Sequence, residues 1–141
     1  MENKDLLYED ITSRLLYSVK ACHKDNEKQS GYIVGVVGDN VMIGSSGFAS
    51  FNINDVRPYL FPLTNITDEQ KKELDKKFNV IWIGLKNIHI HYHSEGYWDT
   101  DLELDLSDWL WVISWFNKNH FDYRGLIEKG LAIDATDKGI Y

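Results

Sequence analysis

Three histidines at alternate positions, followed by three acidic residues at alternate positions, are the residues of this chain best suited to chemistry. The histidines are His89, His91 and His93, and the acids are Asp101, Glu103 and Asp105. If the two segments pair as the arms of a hairpin, a period of two projects all six side chains from one face. Imidazoles and carboxylates are suitable ligands for zinc or another divalent transition metal. The pattern therefore suggests a metal-dependent hydrolase.

The same six side chains have two other interpretations. Cross-strand His–carboxylate pairs stabilise an exposed sheet face by a few tenths to about 1 kcal/mol without any ligand, and this solvated face is the favoured interpretation. Alternate acids on a strand also lie about 6–7 Å apart, close to a phosphate spacing. An acidic inhibitor that mimics nucleic acid, acting against host defence, is therefore a further alternative.

The elements that would position these residues form an α+β fold. The fourfold spacing of Leu7, Ile11 and Leu15 predicts an N-terminal helix over about 4–15. A small antiparallel meander, SH3-like by analogy, follows, with a tight turn at Gly38-Asp39. Its predicted strands are Tyr17–His23, Gly31–Val37, Asn40–Ile43 and Ala49–Ile53. Pro58, which lacks an amide donor, is expected to end the strand region.

The second half is predicted to hold a helix, a hairpin and two C-terminal helices. Thr67 and Gln70 fit a capping box for a helix over about 68–78. Val80–Leu85 is an apolar run rich in strand formers, and the histidine-bearing hairpin follows, with a loop over Ser94–Thr100. Ser107 is the expected N-cap of an apolar helix over 108–119. Asp122 is expected to cap a last helix over 123–129, which ends at Gly130.

Other candidate groups favour structure over catalysis. Cys22 and His23 are adjacent, so on a strand they point to opposite faces and form a poor dyad. His120 and Asp122 can both serve as caps, and Arg124 could pair with Asp122 or with a partner's carboxylate. Trp109 and Trp111 lie about 200° apart around a helix axis. At least one of these two rings is therefore expected to meet solvent or a second subunit.

Composition limits the classes of function. A chain of 141 residues with net charge −7 is expected to form one domain, with halves at about 1–63 and 67–134 and a loose tail over 135–141. Charge is −2 over residues 1–80 and −5 over 81–141, so direct nucleic-acid binding is disfavoured. A single cysteine, no signal-peptide pattern and no long apolar run predict a cytoplasmic protein with no membrane segment.

Two stretches resemble a known group of proteins. They are Trp115–Asp134, and Arg57-Pro58-Tyr59-Leu60 followed by Thr67-Asp68-Glu69-Gln70. Both are similar to segments of small uncharacterised proteins of gut Bacteroidetes, their phages and their mobile elements. A third stretch, Leu16–Lys20, is similar to a motif that usually carries Pro and Gly where this chain has Leu16 and Ser18.

The resemblance implies an accessory protein of phage or mobile-element origin and implies no catalytic residues. We therefore expect a non-enzymatic adaptor that acts through protein–protein contacts and binds no cofactor. The candidate contact residues are Asp101, Glu103, Asp105, Trp109 and Trp111. The partner is an unidentified protein, and a homo-oligomer is possible.

Overall fold

A six-stranded sheet organises the chain. The computed structural model describes residues 2–44, 47–78, 90–92, 98–100 and 105–141. The helices are α1 Asn3–Ser13, α2 Asp68–Phe78 and α3 Leu106–Lys118. The strands are β1 Lys20–His23, β2 Asn26–Val37, β3 Asn40–Gly44, β4 Phe48–Asn52, β5 Val56–Leu60, β6 Ile90–Tyr92, β7 Trp98–Thr100 and β8 Ile133–Asp134. The predicted α+β class is confirmed.

The sheet has the strand order β4-β3-β2-β1-β5-β8. Its first five strands pair with antiparallel neighbours, as the predicted meander requires. The turn between β2 and β3 has Gly38 at φ 58°, in the left-handed region that glycine adopts without strain. The last strand, β8, pairs parallel to β5 through Tyr59–Ile133 and Leu60–Asp134. Strands from the two halves of the sequence therefore share one sheet.

Pro58 does not end the strand region, contrary to the expectation from its missing amide donor. It lies within β5, opposite Ala21 of β1. Pairing between β5 and β8 begins only at the next residue, Tyr59. A proline is tolerated in a sheet at such a position, where the pairing on one side has not begun.

The main core lies between α1 and the inner face of the sheet. Leu7 and Ile11 of α1 are buried, as the fourfold spacing predicts, and Leu15 packs against the same cluster from the turn of 3₁₀ helix that follows. Val41 and Ile43 of β3 lie in this cluster. Gly31 of β2 is required here, because an added Cβ atom would collide with the carbonyl oxygen of Gly44.

A second core forms where α2 and α3 meet the chain near residue 121. Leu74 of α2 packs in this cluster with Trp115 and Phe116 of α3. The indole nitrogen of Trp115 donates a hydrogen bond of 2.8 Å to Glu73. The capping box at Thr67 and Gln70 is confirmed, with bonds of 2.9 and 3.1 Å, and α2 has the predicted bounds.

Two predictions about the C-terminal helices are wrong. The N-cap of α3 is Asp105, which forms a reciprocal capping box with Asp108, and Ser107 is a residue of the helix. The predicted helix over 123–129 is a series of turns. Asp122 still accepts backbone hydrogen bonds from Leu126 and Ile127, so a cap forms although no helix follows it.

The tail predicted to be loose is packed against the outer face of the sheet. Ala135 is buried beside Cys22 and Tyr59, and Ile140 packs against the same cluster. The Tyr141 hydroxyl accepts a hydrogen bond from the Lys20 amide at 2.9 Å and donates one to the Tyr59 carbonyl at 2.8 Å. These residues cover the outer face over β1 and β5.

The predicted hairpin of the second half forms with a different register. Its second arm begins at Trp98, inside the segment expected to be the loop, and His91 of β6 lies opposite Asp99 of β7. Leu106, expected to continue the second arm, is the first residue of α3. The apolar run Val80–Leu85 lies outside the described residues.

Candidate interaction surface

The proposed metal site falls mostly outside the described residues. His89 and His93 are not among them, nor are Asp101 and Glu103, and for His91 the structure gives only its place in β6. In the described part of the chain, no group of three or more His, Cys, Asp or Glu side chains could hold a metal ion. The zinc site and the phosphate-like acidic row stay predictions.

The described contact candidates lie at the start of α3. Asp105 uses its carboxylate to accept the Asp108 amide at 2.8 Å, so its side chain has a structural role as an N-cap. Trp109 and Trp111 are both half-buried. The Trp111 ring lies 6.4 Å from that of Trp115, and Lys77 places its ammonium group over the Trp111 ring.

Cys22 and His120, the nucleophile and base candidates, are packed against other side chains. Cys22 is fully buried, and burial raises the pKa of its thiol although a hydrogen bond with Tyr59 opposes that shift. The thiolate needed for nucleophilic attack is therefore disfavoured. Burial, and next the charge of Arg14, lower the pKa of His120 to about 4. His120 stacks flat on Tyr141, with ring centroids 3.7 Å apart.

A buried ion pair joins α1 to the C-terminal turns. Arg14 and Asp10 are both fully buried and share two hydrogen bonds of 2.9 Å. Arg14 also donates to the Phe121 carbonyl at 2.7 Å. Burial opposes the charge of Arg14, but the charge and hydrogen bonds of Asp10 outweigh it, and the pKa of Arg14 is raised. The pair anchors residue 121 against α1.

Arg124 completes this network, but not with the partner expected for it. Its guanidinium lies 3.7 Å from Asp10 and 4.0 Å from Glu9, and not against Asp122. The Tyr123 ring has both guanidinium groups over it, with Arg14 at 5.1 Å and Arg124 at 5.0 Å. The charges of this network are used to connect elements of the same chain.

One part of the sheet's outer face carries exposed apolar side chains. We call this surface the open half-sheet and define it by residues of β2, β3 and β4: Tyr32, Val34, Met42, Gly44 and Phe48. The exposed fractions of Tyr32, Val34 and Phe48 are 44%, 51% and 76%. The tail covers the adjacent strands β1 and β5 of this face, so the open half-sheet begins where that cover ends.

The register brings these residues into contact. Tyr32 pairs with Gly44, and Gly44 pairs with Phe48, so the three lie in one row across the strands. Gly44 has no side chain, and the space above it is filled by the Phe48 ring, with Val34 on the other side. Lys20 of β1, next to Tyr32 in the row, places its ammonium group 4.9 Å from the centre of the Tyr32 ring.

The open half-sheet is almost free of charge. Between Gln29 and Asn54 the sequence has one charged residue, Asp39, although the chain has 37 in total. Asp39 is neutralised by Lys4 at 2.9 Å. The signal that could have identified this surface was thus present in the sequence, as a gap in the charge pattern over three predicted strands.

Comparison of the chain with protein-family models, with curated proteins and with solved structures found no match. None of the helices in the described ranges has the length and apolar character needed to cross a bilayer.

Proposed function

We propose that this protein is a non-enzymatic adaptor that acts inside the cell through protein–protein contacts, with the open half-sheet as its contact surface. The observation that carries the proposal is the exposed row of Tyr32 and Phe48, with Val34 beside it. Contiguous exposed apolar patches, especially ones with a polar rim, mark contact sites in proteins. Aromatic side chains are also enriched at the centres of interfaces.

The chemistry of the surface indicates the kind of partner. Because none of the five residues that define the open half-sheet is charged, and Lys20 lies at its rim over the Tyr32 ring, the partner surface should be apolar at its centre. A highly charged partner such as nucleic acid would find no cluster of cations there. The resemblance of Trp115–Asp134 to proteins of phages and mobile elements is the basis for proposing such an origin.

The described reactive groups support an adaptor over an enzyme. The Cys22 thiol is buried and protonated, His120 is stacked against Tyr141, and the carboxylate of Asp105 caps a helix. The charged side chains of Arg14 and Arg124 both lie against the buried carboxylate of Asp10. Each of these groups has a structural use that its geometry explains.

Substitution of one residue of the open half-sheet tests the proposal. Val34→Asp places a charge at the centre of the surface, where a desolvated carboxylate without a partner is costly. We expect the tagged wild type to retain a specific protein from a lysate of the producing cells and Val34→Asp to lose it. Retention would be measured by quantitative mass spectrometry of the bound fraction.

Val37→Asp is the matched control. It makes the same change on the same strand, about 10 Å further along β2, at a residue that is even more exposed, at 67%. We expect this variant to keep the partner that Val34→Asp loses. Equal retention of the partner by Val34→Asp and wild type would contradict the assignment of the surface, and turnover of a substrate by the purified protein would contradict the adaptor function.

A further inference from the structure

Strand β4 lies at one end of the six-stranded sheet. Among the described residues, β4 pairs only with β3, so the backbone groups on its other side have no strand partner. Proteins normally block such an edge with a charge, a proline or a β-bulge. Phe48–Asn52 has none of these: its sequence is Phe-Ala-Ser-Phe-Asn, and its pairing with β3 runs without a register shift. Every residue except Phe51 is exposed.

We infer that β4 pairs antiparallel with β4 of a second copy of this chain, forming a symmetric dimer with one continuous sheet. The charge distribution favours a second copy as the occupant. Two chains of net charge −7 repel each other over most of their surfaces. At this edge they meet no like charges, because Asp39 is the single charged residue between Gln29 and Asn54 and is paired with Lys4.

The strand is also self-complementary. A two-fold axis through Ser50 would place Ser50 opposite its own copy, Ala49 opposite Phe51 of the second copy, and Phe48 opposite Asn52 of the second copy. Every second residue of β4 directs its backbone N–H and C=O groups toward the free edge. Each proposed pair joins residues whose numbers differ by zero, two or four, so the edge-facing groups of one copy lie opposite those of the other. Such an axis keeps the outer faces of both copies on the same side, so the two open half-sheets would adjoin.

This inference concerns the edge of the sheet and does not rest on the proposed binding of a partner to its face. The exposed side chain of Ser50 lies at the proposed axis, and this makes it the position to change. Ser50→Lys would bring two ammonium groups directly opposite each other, which destabilises a strand pair. Since Ser50 is exposed in the single chain, the substitution should leave the monomer folded.

The experiment is sedimentation equilibrium over a concentration series with the full chain. We expect the wild type to approach twice the 16.4 kDa chain mass, and Ser50→Lys to weaken dimerisation about tenfold or more, because like charges juxtaposed in an interface cost several kcal/mol. Ser50→Glu alone should weaken it similarly. A 1:1 mixture of the two variants should restore the dimer, because opposite charges then face each other across the axis.

Ser30→Lys is the matched control, since it makes the same change at an exposed serine of β2, outside the proposed contact. It should dimerise like the wild type, and circular dichroism should show all variants folded. A monomeric wild type, a Ser50→Lys protein that dimerises normally, or a mixture that stays monomeric would each overturn the inference. A monomer that still loses its partner with Val34→Asp would leave the proposed function intact.

Discussion

Arg14 is one of the residues that connect the N-terminal helix to the C-terminal part of the chain. Its guanidinium is fully buried and binds both Asp10 and the carbonyl of Phe121. Removing one member of a buried ion pair is costly because the other charge is left without compensation. Substitution of Arg14 should therefore lower the stability of the fold and leave binding at the open half-sheet unchanged.

Arg14→Met should lower the free energy of unfolding by about 3–5 kcal/mol. Asp10→Leu combined with Arg14→Met should be more stable than Arg14→Met alone, because it also removes the buried Asp10 carboxylate, which would otherwise have lost both of its hydrogen bonds from Arg14 and kept only the 3.7 Å contact with Arg124. Urea denaturation followed by circular dichroism would measure both. If the double variant were less stable than Arg14→Met, the ion pair would not be the source of the effect.

His120 should make stability depend on pH. Its pKa is lowered to about 4 when folded, from an ordinary value of 6.5. Between these values the unfolded chain binds a proton that the folded chain does not, so stability falls as the pH falls from about 6.5 to about 4. His120→Asn, which tolerates the left-handed φ of 61° at this position, should show a smaller loss.

The measurement is urea denaturation of wild type and His120→Asn at several pH values across this window. His23→Asn is a suitable control, because it removes a histidine of β1 whose contacts are different, with the Phe51 ring and the Asp25 amide. An unchanged slope of stability against pH in His120→Asn would show that other groups carry the dependence.

At the scale of the element, the sequence prediction and the structure differ in which residue caps the start of α3. The sequence predicts Ser107 as the N-cap, whereas Asp105 accepts the Asp108 amide and Asp108 accepts the Asp105 amide. Asp105→Ala should therefore destabilise the protein by about 0.5–2 kcal/mol. Ser107→Ala should change stability by less than about 0.5 kcal/mol. Thermal unfolding distinguishes the two, and the reverse order would support the sequence prediction.

Local signals explain which elements could be predicted. The capping box of α2 joins Thr67 to Gln70, three residues apart, and its helix has the predicted bounds. The sequence predicts that Asp105 lies on a strand, because the acids at positions 101, 103 and 105 alternate with leucines, although Leu106 begins a helix. Alternation of apolar and acidic residues corresponds to a strand only where the backbone pairs with a neighbouring strand. The sequence does not show where that pairing stops.

Contacts between distant residues could not be predicted. The Tyr141 hydroxyl binds Lys20 and Tyr59, which are 121 and 82 residues away, and the tail carries no periodic pattern. The candidate site shows the same limit: the histidines stand out in the sequence because imidazole is a common metal ligand. The open half-sheet is defined by a lack of charge together with a strand register, and only the first of these is visible in a sequence.

At the scale of the whole molecule, the tail controls access to the outer face of the sheet. Cys22 is fully buried there, beside Tyr59 and Ala135. Removal of residues 136–141 should expose the thiol and increase its rate of reaction with a thiol reagent about tenfold or more, since access as well as ionisation governs cysteine reactivity. Circular dichroism would confirm that the shortened chain is folded. An unchanged rate would show that the tail does not shield Cys22.

The parallel strand β8 imposes an order on the formation of the molecule during synthesis. The hairpins from β1 to β4 join neighbouring segments and can form early, because closing short loops costs little entropy. The β5–β8 pair must wait for residues 133 and 134, and Arg14 must wait for Phe121, 107 residues later. Until the C-terminal residues are synthesised, β5 and the residues that bind Tyr141 are therefore uncovered on the ribosome-bound chain. During this interval the nascent protein is most exposed to chaperones and proteases.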